Sequence, residues 1–173
     1  MKYQWQQNIK NKAIEYTRQD KKQWFYIGGQ VGSGKTHLCT SIVNELMKQG
    51  FSARYMLWRD EIVKLKANVM DAQEYNLAIH DWKNVAVLYI DDLFKTKKGK
   101  MPTTADIQIA FEIINYRYNN KELLTLFSSE KLINELLDID EATGSRIFQM
   151  AKNYIIEIRP DKRKNIRLNE ENQ

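Results

Sequence analysis

Gly29-Gln30-Val31-Gly32-Ser33-Gly34-Lys35-Thr36 is the stretch on which the reading of this chain turns. It fits G-x-x-x-x-G-K-[ST] at every position. Glycine tolerates positive φ, so successive N–H groups can point inward around a phosphate. A helix opening at Lys35 adds unpaired N–H donors and the positive end of its dipole. Lys35 then reaches the β- and γ-phosphates, and the Thr36 hydroxyl is placed to ligate Mg²⁺. His37 follows directly and joins the candidate nucleotide contacts, although a helix residue without chemical duty is the plainer reading. A chance glycine turn is the competing explanation. It does not account for the position of the loop, after an apolar run and before a helical pattern.

Strand-like and helix-like segments alternate outward from this loop. The run 24–27 predicts a buried strand, and 35–49 predicts a helix with Leu38, Ile42 and Leu46 on one stripe and Gly50 as its stop. A strand is expected over 53–57, mixed charged helix over 60–82, and a strand over 85–90 that is apolar throughout, as in a parallel sheet. Helical spacing returns at 105–119, 131–137 and 140–150, with strands at 123–127 and 154–158. The class predicted is α/β: a three-layer P-loop sandwich around a five-stranded, mostly parallel sheet. One domain is expected, with a leading helix over 1–23, a core over 24–158 and a basic tail over 159–173.

Composition narrows the function. The chain has 173 residues with 27 Lys plus Arg against 22 Asp plus Glu, a net charge of +5. That bias suits a polyanionic partner without demonstrating one. Cys39 is the single cysteine, and His37 and His80 are the two histidines, which excludes an intramolecular disulfide framework and a multi-cysteine zinc site. No apolar stretch reaches the roughly 18 residues of a membrane span, and the N-terminus lacks a signal-peptide core. A cytoplasmic protein without membrane partners is the expectation.

Val87-Leu88-Tyr89-Ile90-Asp91-Asp92 is an apolar strand ending in two acids. Carboxylates at the C-terminal end of a parallel strand face the crevice where α/β sheets bind ligands. Asp91 is therefore the candidate for holding Mg²⁺, as a Walker B residue does, and Asp92 for polarising the attacking water. The bland alternative is two acids that begin a solvated loop.

With these residues in place, the chain resembles the AAA+ ATPase domain of DnaC/DnaI-type replicative helicase loaders, particularly phage and prophage forms. The segments that carry the resemblance are GGQVGSGKTHL, VLYIDDL, Phe127-Ser128-Ser129-Glu130 and Gly144-Ser145-Arg146-Ile147. It implies a five-stranded AAA+ core that binds ATP or ADP with Mg²⁺. A polar contact from Ser128 or Ser129 would stand at the sensor 1 position, and Arg146 would serve as an arginine finger toward a neighbouring copy. It also implies a replicative helicase partner, single-stranded DNA and a homo-oligomer in the ATP-bound state. Three departures stand out. Asp92 replaces the common glutamate and is one methylene shorter, which points to slow ATPase chemistry used as a switch. Glu130 stands where many loaders have asparagine. Only 28 residues precede Gly29, so the family's N-terminal helicase-binding region is expected to be absent.

Lys95, Lys97, Lys98 and Lys100 form a cationic loop that can attract phosphate backbone without reading sequence, or simply be solvated. Arg59, Lys64 and Lys66 are further DNA-contact candidates. Tyr55, Trp58 and Trp82 are aromatics for which core packing is the better expectation than base stacking. In the tail, Arg167 either acts on the nucleotide in cis or belongs to a frayed, solvated end, the latter being expected. Two other functions remain open: an IstB-like transposition helper ATPase, and a small P-loop kinase.

Overall fold

Strict alternation inside the short apolar strands decides the layering. Trp24, Tyr26, Leu88, Ile90 and Phe127 pack into one hydrophobic cluster, whereas Phe25, Ile27, Val87, Tyr89, Leu124 and Leu126 pack into another on the opposite face. A strand buried on both faces needs apolar residues at every position, which is why these runs show no polar alternation. The computed structural model describes residues 4–20 and 22–170; residues 1–3, 21 and 171–173, the outer parts of the expected leading helix and tail, lie outside the described residues.

The order is α1 (Gln4–Thr17), β1 (Phe25–Gly29), α2 (Lys35–Lys48), β2 (Ala53–Leu57), α3 (Trp58–Asn68), α4 (Ala72–Asn84), β3 (Val87–Asp91), α5 (Thr104–Asn119), β4 (Leu124–Ser129), α6 (Ile133–Ile139), α7 (Glu141–Ala151) and β5 (Ile155–Ile158). A short 3₁₀ turn, Lys162–Lys164, and α8 (Ile166–Glu170) follow. The five strands run in the order β2-β3-β4-β1-β5, and every neighbouring pair is parallel. β4 thus lies between the strand that leads into the glycine loop and the strand that ends in Asp91. Buried side chains of α1 and α2 join one cluster, and those of α3, α4, α5, α6 and α7 join the other, completing three layers.

Two expectations are corrected here. The charged stretch 60–82 is two helices, because Asp71 accepts from the N–H groups of Gln73 and Glu74 and so caps a new helix. The tail is not frayed: Ile166 N–H donates to the Gly32 carbonyl at 2.8 Å, and Asp161 N–H donates to Gln30 Oε1 at 2.9 Å. The basic composition that suggested solvation conceals a segment strapped onto the glycine loop. Among the described residues, no helix is long and apolar enough to cross a membrane.

One buried cation fastens the layers. Arg117 of α5 is fully buried; it donates to the carbonyls of Trp82, Lys83 and Val85, to that of Leu124 at 2.6 Å, and to Thr125 Oγ1 at 2.9 Å. Those carbonyls include orphans at the end of α4, so one fork closes a helix terminus and two strand entries. Burial pulls the guanidinium down to about 10, still protonated at neutral pH. Arg117→Ala is expected to destabilise the fold by about 3 kcal/mol through carbonyls left unpaired, read as a lower urea midpoint at unchanged slope. Arg117→Lys should recover only part, because an ammonium cannot reproduce the planar fork.

Candidate nucleotide site

The glycine loop leaves β1 and turns into α2 through residues that only glycine occupies comfortably. Gly32 and Gly34 have φ of 72° and 86°, in the left-handed region, and Gly34 caps α2. A Cβ on Gly32 would fall 2.2 Å from Asn165 Oδ1 of the strap. Lys35 is buried, and its Nζ donates to the carbonyls of Gly29 at 2.8 Å and Gln30 at 2.7 Å. Burial lowers the Lys35 pKa, while the carboxylates of Asp92 and Glu130 oppose that shift. Ser33 Oγ donates to the Gln30 carbonyl, Val31 is exposed, and His37 is exposed at the rim.

At the tip of β3, Asp91 is buried among hydroxyls. Thr36 Oγ1 donates to Asp91 Oδ1 at 3.1 Å and Tyr89 Oη does so at 2.7 Å, with Ser128 Oγ a third donor to the same oxygen. Tyr55 Oη donates to Oδ2 at 2.8 Å. Strand register explains the gathering. Tyr55 pairs with Tyr89 and Leu57 with Asp91, and Ile90 pairs with Phe127, so Ser128 follows one step along beside Asp91. The hydroxyl cluster was not foreseen. Its signal, Tyr89-x-Asp91 on one strand face with Tyr55 beside it, is readable only once register is known.

A cleft of about 690 Å³ opens over the loop, lined by Gly34, Lys35, Thr36, Asp92, Lys95 and Glu130, among others, with Ile166 and Arg167 at its edge. Sequence reasoning thus placed the glycine loop, Lys35, Thr36, Asp91 and Asp92 in one site, and the structure brings them together. Two readings change. Ser129 does not reach the cleft: its buried hydroxyl donates to the Leu93 carbonyl at 2.8 Å. Lys95 is not part of a solvated lysine loop, since it is paired with Asp92 and Glu130 at 2.8 Å each. Lys97, Lys98 and Lys100 are exposed as expected. Arg167 stands at the cleft edge on the strap. Arg146 lies elsewhere, on α7, where it donates to Asn115 Oδ1 and the Ala142 carbonyl and stacks over Phe111 and Tyr118. Trp58 is core, packed edge-on to Phe94.

The residues present fit a magnesium nucleotide. The left-handed glycines Gly32 and Gly34 let the loop turn into α2, whose N-terminus opens at Lys35 and Thr36 on the cleft. Among the described residues no group of three or more His, Cys, Asp or Glu is arranged to hold a metal. The donor set is one hydroxyl, Thr36, and one carboxylate, Asp91, which suits Mg²⁺ completed by phosphate oxygens and water.

Glycine cradle, lysine, threonine and strand-end aspartate, set on a parallel sheet with β4 between β1 and β3, define a P-loop NTPase of the AAA+ arrangement. Residues 6–152 match the bacterial DnaA ATPase domain family, and the chain belongs to that family. It is 47% identical over 137 residues to YqaM of Bacillus subtilis, covering 78% of this chain and 42% of that protein. To XkdC of the phage-like element PBSX of B. subtilis it is 39% identical over 134 residues, covering 76% of this chain and 48% of that one. The chain therefore spans less than half the length of these curated relatives. The crystal structure of the DnaC helicase loader superposes with a TM-score of 0.73 at 21% identity, covering 90% of each chain, a likeness of fold.

Gly32→Ala tests the contact between loop and strap. The new Cβ is strained at positive φ and displaces Asn165. The expected result is weaker nucleotide binding together with faster tryptic cleavage at Lys162 and Arg163, with the unfolding midpoint of the core little changed.

Proposed function

We propose that this chain is an ATP-dependent switch of DNA replication, which assembles with copies of itself in the ATP state and helps place a ring helicase on single-stranded DNA. The observation that carries the reading is the hydrogen bond between Thr36 and Asp91, which joins the phosphate loop to the strand-end carboxylate. Membership of the DnaA ATPase domain family and the fold shared with the DnaC helicase loader support replication as the setting.

In this reading the glycine loop and Lys35 bind the phosphates, and Thr36 and Asp91 hold Mg²⁺, which when bound neutralises charge on the transferring phosphoryl group. Asp92 orients the attacking water. It is short and paired with Lys95, both of which favour slow turnover. Arg146 serves a neighbouring copy, because its own cleft is lined by other residues. The exposed lysines Lys97, Lys98 and Lys100 offer a sequence-independent contact to single-stranded DNA, as the loader resemblance implies.

The test is ATPase rate at low salt against protein concentration, with and without single-stranded DNA. Lys35→Ala should abolish nucleotide binding. The wild-type rate per molecule should rise with protein concentration and respond to DNA, and Arg146→Ala should remove that rise while leaving nucleotide affinity intact. A rate indifferent to concentration, DNA and Arg146 would leave a P-loop nucleotide-binding protein without the assembly mechanism.

A further inference from the structure

The turn after β3 is built to hold one lysine in the nucleotide cleft. Asp92 and Phe94 both have left-handed backbones, with φ of 57° and 58°, although neither is glycine. Such conformations persist where the surroundings over-determine them. Here Leu93 and Phe94 are fully buried, Leu93 N–H donates to the Ser128 carbonyl at 3.0 Å, and the Leu93 carbonyl accepts from Ser129 Oγ. Phe94 packs edge-on against Trp58. The chain therefore doubles back, and Lys95 Nζ is directed at Asp92 Oδ2 and Glu130 Oε1, 2.8 Å from each, inside the cleft that contains Lys35.

Two carboxylates in that cleft present a difficulty for any reading in which it takes a triphosphate. Asp92 and Glu130 would repel a terminal phosphate. An ammonium has three N–H donors; Asp92 and Glu130 occupy two, and the third remains for another acceptor. Although burial alone would lower its pKa, the hydrogen bonds it donates to these carboxylates hold Lys95 above the ordinary lysine value, so it is fully charged at neutral pH.

We propose that Lys95 makes this cleft selective for a nucleoside triphosphate over a diphosphate, by bridging Asp92 and Glu130 to the terminal phosphate. The inference rests on the nucleotide-binding reading above and adds to it a specificity-determining residue. Asp92 and Glu130 then act as the supports that aim the ammonium, and Lys95 reads the one phosphate that distinguishes the two ligands. Lys35, bonded to the loop carbonyls, serves both.

The experiment is equilibrium titration of the full chain with Mg-ADP and with a non-hydrolysable Mg-ATP analogue. Lys95→Ala should weaken the triphosphate about 10-fold or more, the loss of a charged hydrogen bond, and leave ADP within about 2-fold. Lys95→Arg should keep most of the preference, and Lys95→Ala combined with Glu130→Gln should regain part of the lost triphosphate affinity by removing the unopposed carboxylate. Lys95→Gln, which preserves the stem, supplies the comparison if the alanine variant folds poorly. The proposal is overturned if Lys95→Ala or Lys95→Gln weakens both nucleotides equally, or leaves their ratio as in the wild type, while Lys35→Ala still loses both. Binding of neither nucleotide by the wild type would overturn the nucleotide-site reading itself, and this inference with it.

Discussion

Asp91 is a buried carboxylate with four hydroxyl groups aimed at it, and much of the site geometry depends on keeping those partners in place. Thr36 comes from α2, Tyr55 from β2, Tyr89 from the strand of Asp91 itself, and Ser128 from β4. One side chain therefore ties three adjacent strands to the helix that begins at the phosphate loop. A buried carboxylate is costly unless its lone pairs are satisfied, so the sequence must supply each hydroxyl at a fixed register. That requirement sets the relative heights of β2, β3 and β4, and with them the position of Asp92 beside the loop. Thr36 belongs both to this cluster and to the phosphate loop, so the core and the site share one hydrogen-bonded cluster.

The fold was largely legible because its three inner strands, β1, β3 and β4, are buried on both faces. Those apolar runs and two shorter strand-like segments, separated by helical periodicity, allow few arrangements besides a parallel sheet between two helical layers, and the glycine loop locates the nucleotide crevice. The phosphate loop, Thr36, Asp91 and Asp92 were legible for the same reason: their chemistry is local in sequence. Contacts that needed register or long-range docking were not. Ser128 and Ser129 look alike in sequence, but alternation turns one toward Asp91 and the other toward Leu93. The charged run 60–82 hid a helix boundary because Asp71 reads as one more acid until its capping role is seen. The tail was misread because Lys162, Arg163 and Lys164 dominate its composition, while the residues that dock it, Asp161, Asn165 and Ile166, carry no signal on their own.

Lys95 shows how composition misleads at a site. Four lysines in six residues resemble a solvated cationic loop, and three of them are exposed. The first differs because it follows Phe94, whose burial beneath Trp58 reverses the chain. The apolar pair Leu93-Phe94 is thus the informative feature: hydrophobic anchors immediately after a strand-end acid bring the next residue back over the crevice.

Charge in the cleft links this local arrangement to assembly. Lys35, Lys95 and Arg167 face Asp92 and Glu130, with Asp91 behind them, so cations and carboxylates are nearly matched by the chain alone. A magnesium nucleoside triphosphate brings a surplus of negative charge that this balance does not absorb. An unmatched charge there favours approach of a cation from outside. Arg146 cannot supply it to its own nucleotide while it is bonded to Asn115 and stacked on α5, on a helix that does not line the cleft. A second copy can. A diphosphate leaves a smaller surplus and a weaker pull, so a cleft charge-balanced by its own side chains gives the presence of the terminal phosphate a physical route to the association of neighbouring copies.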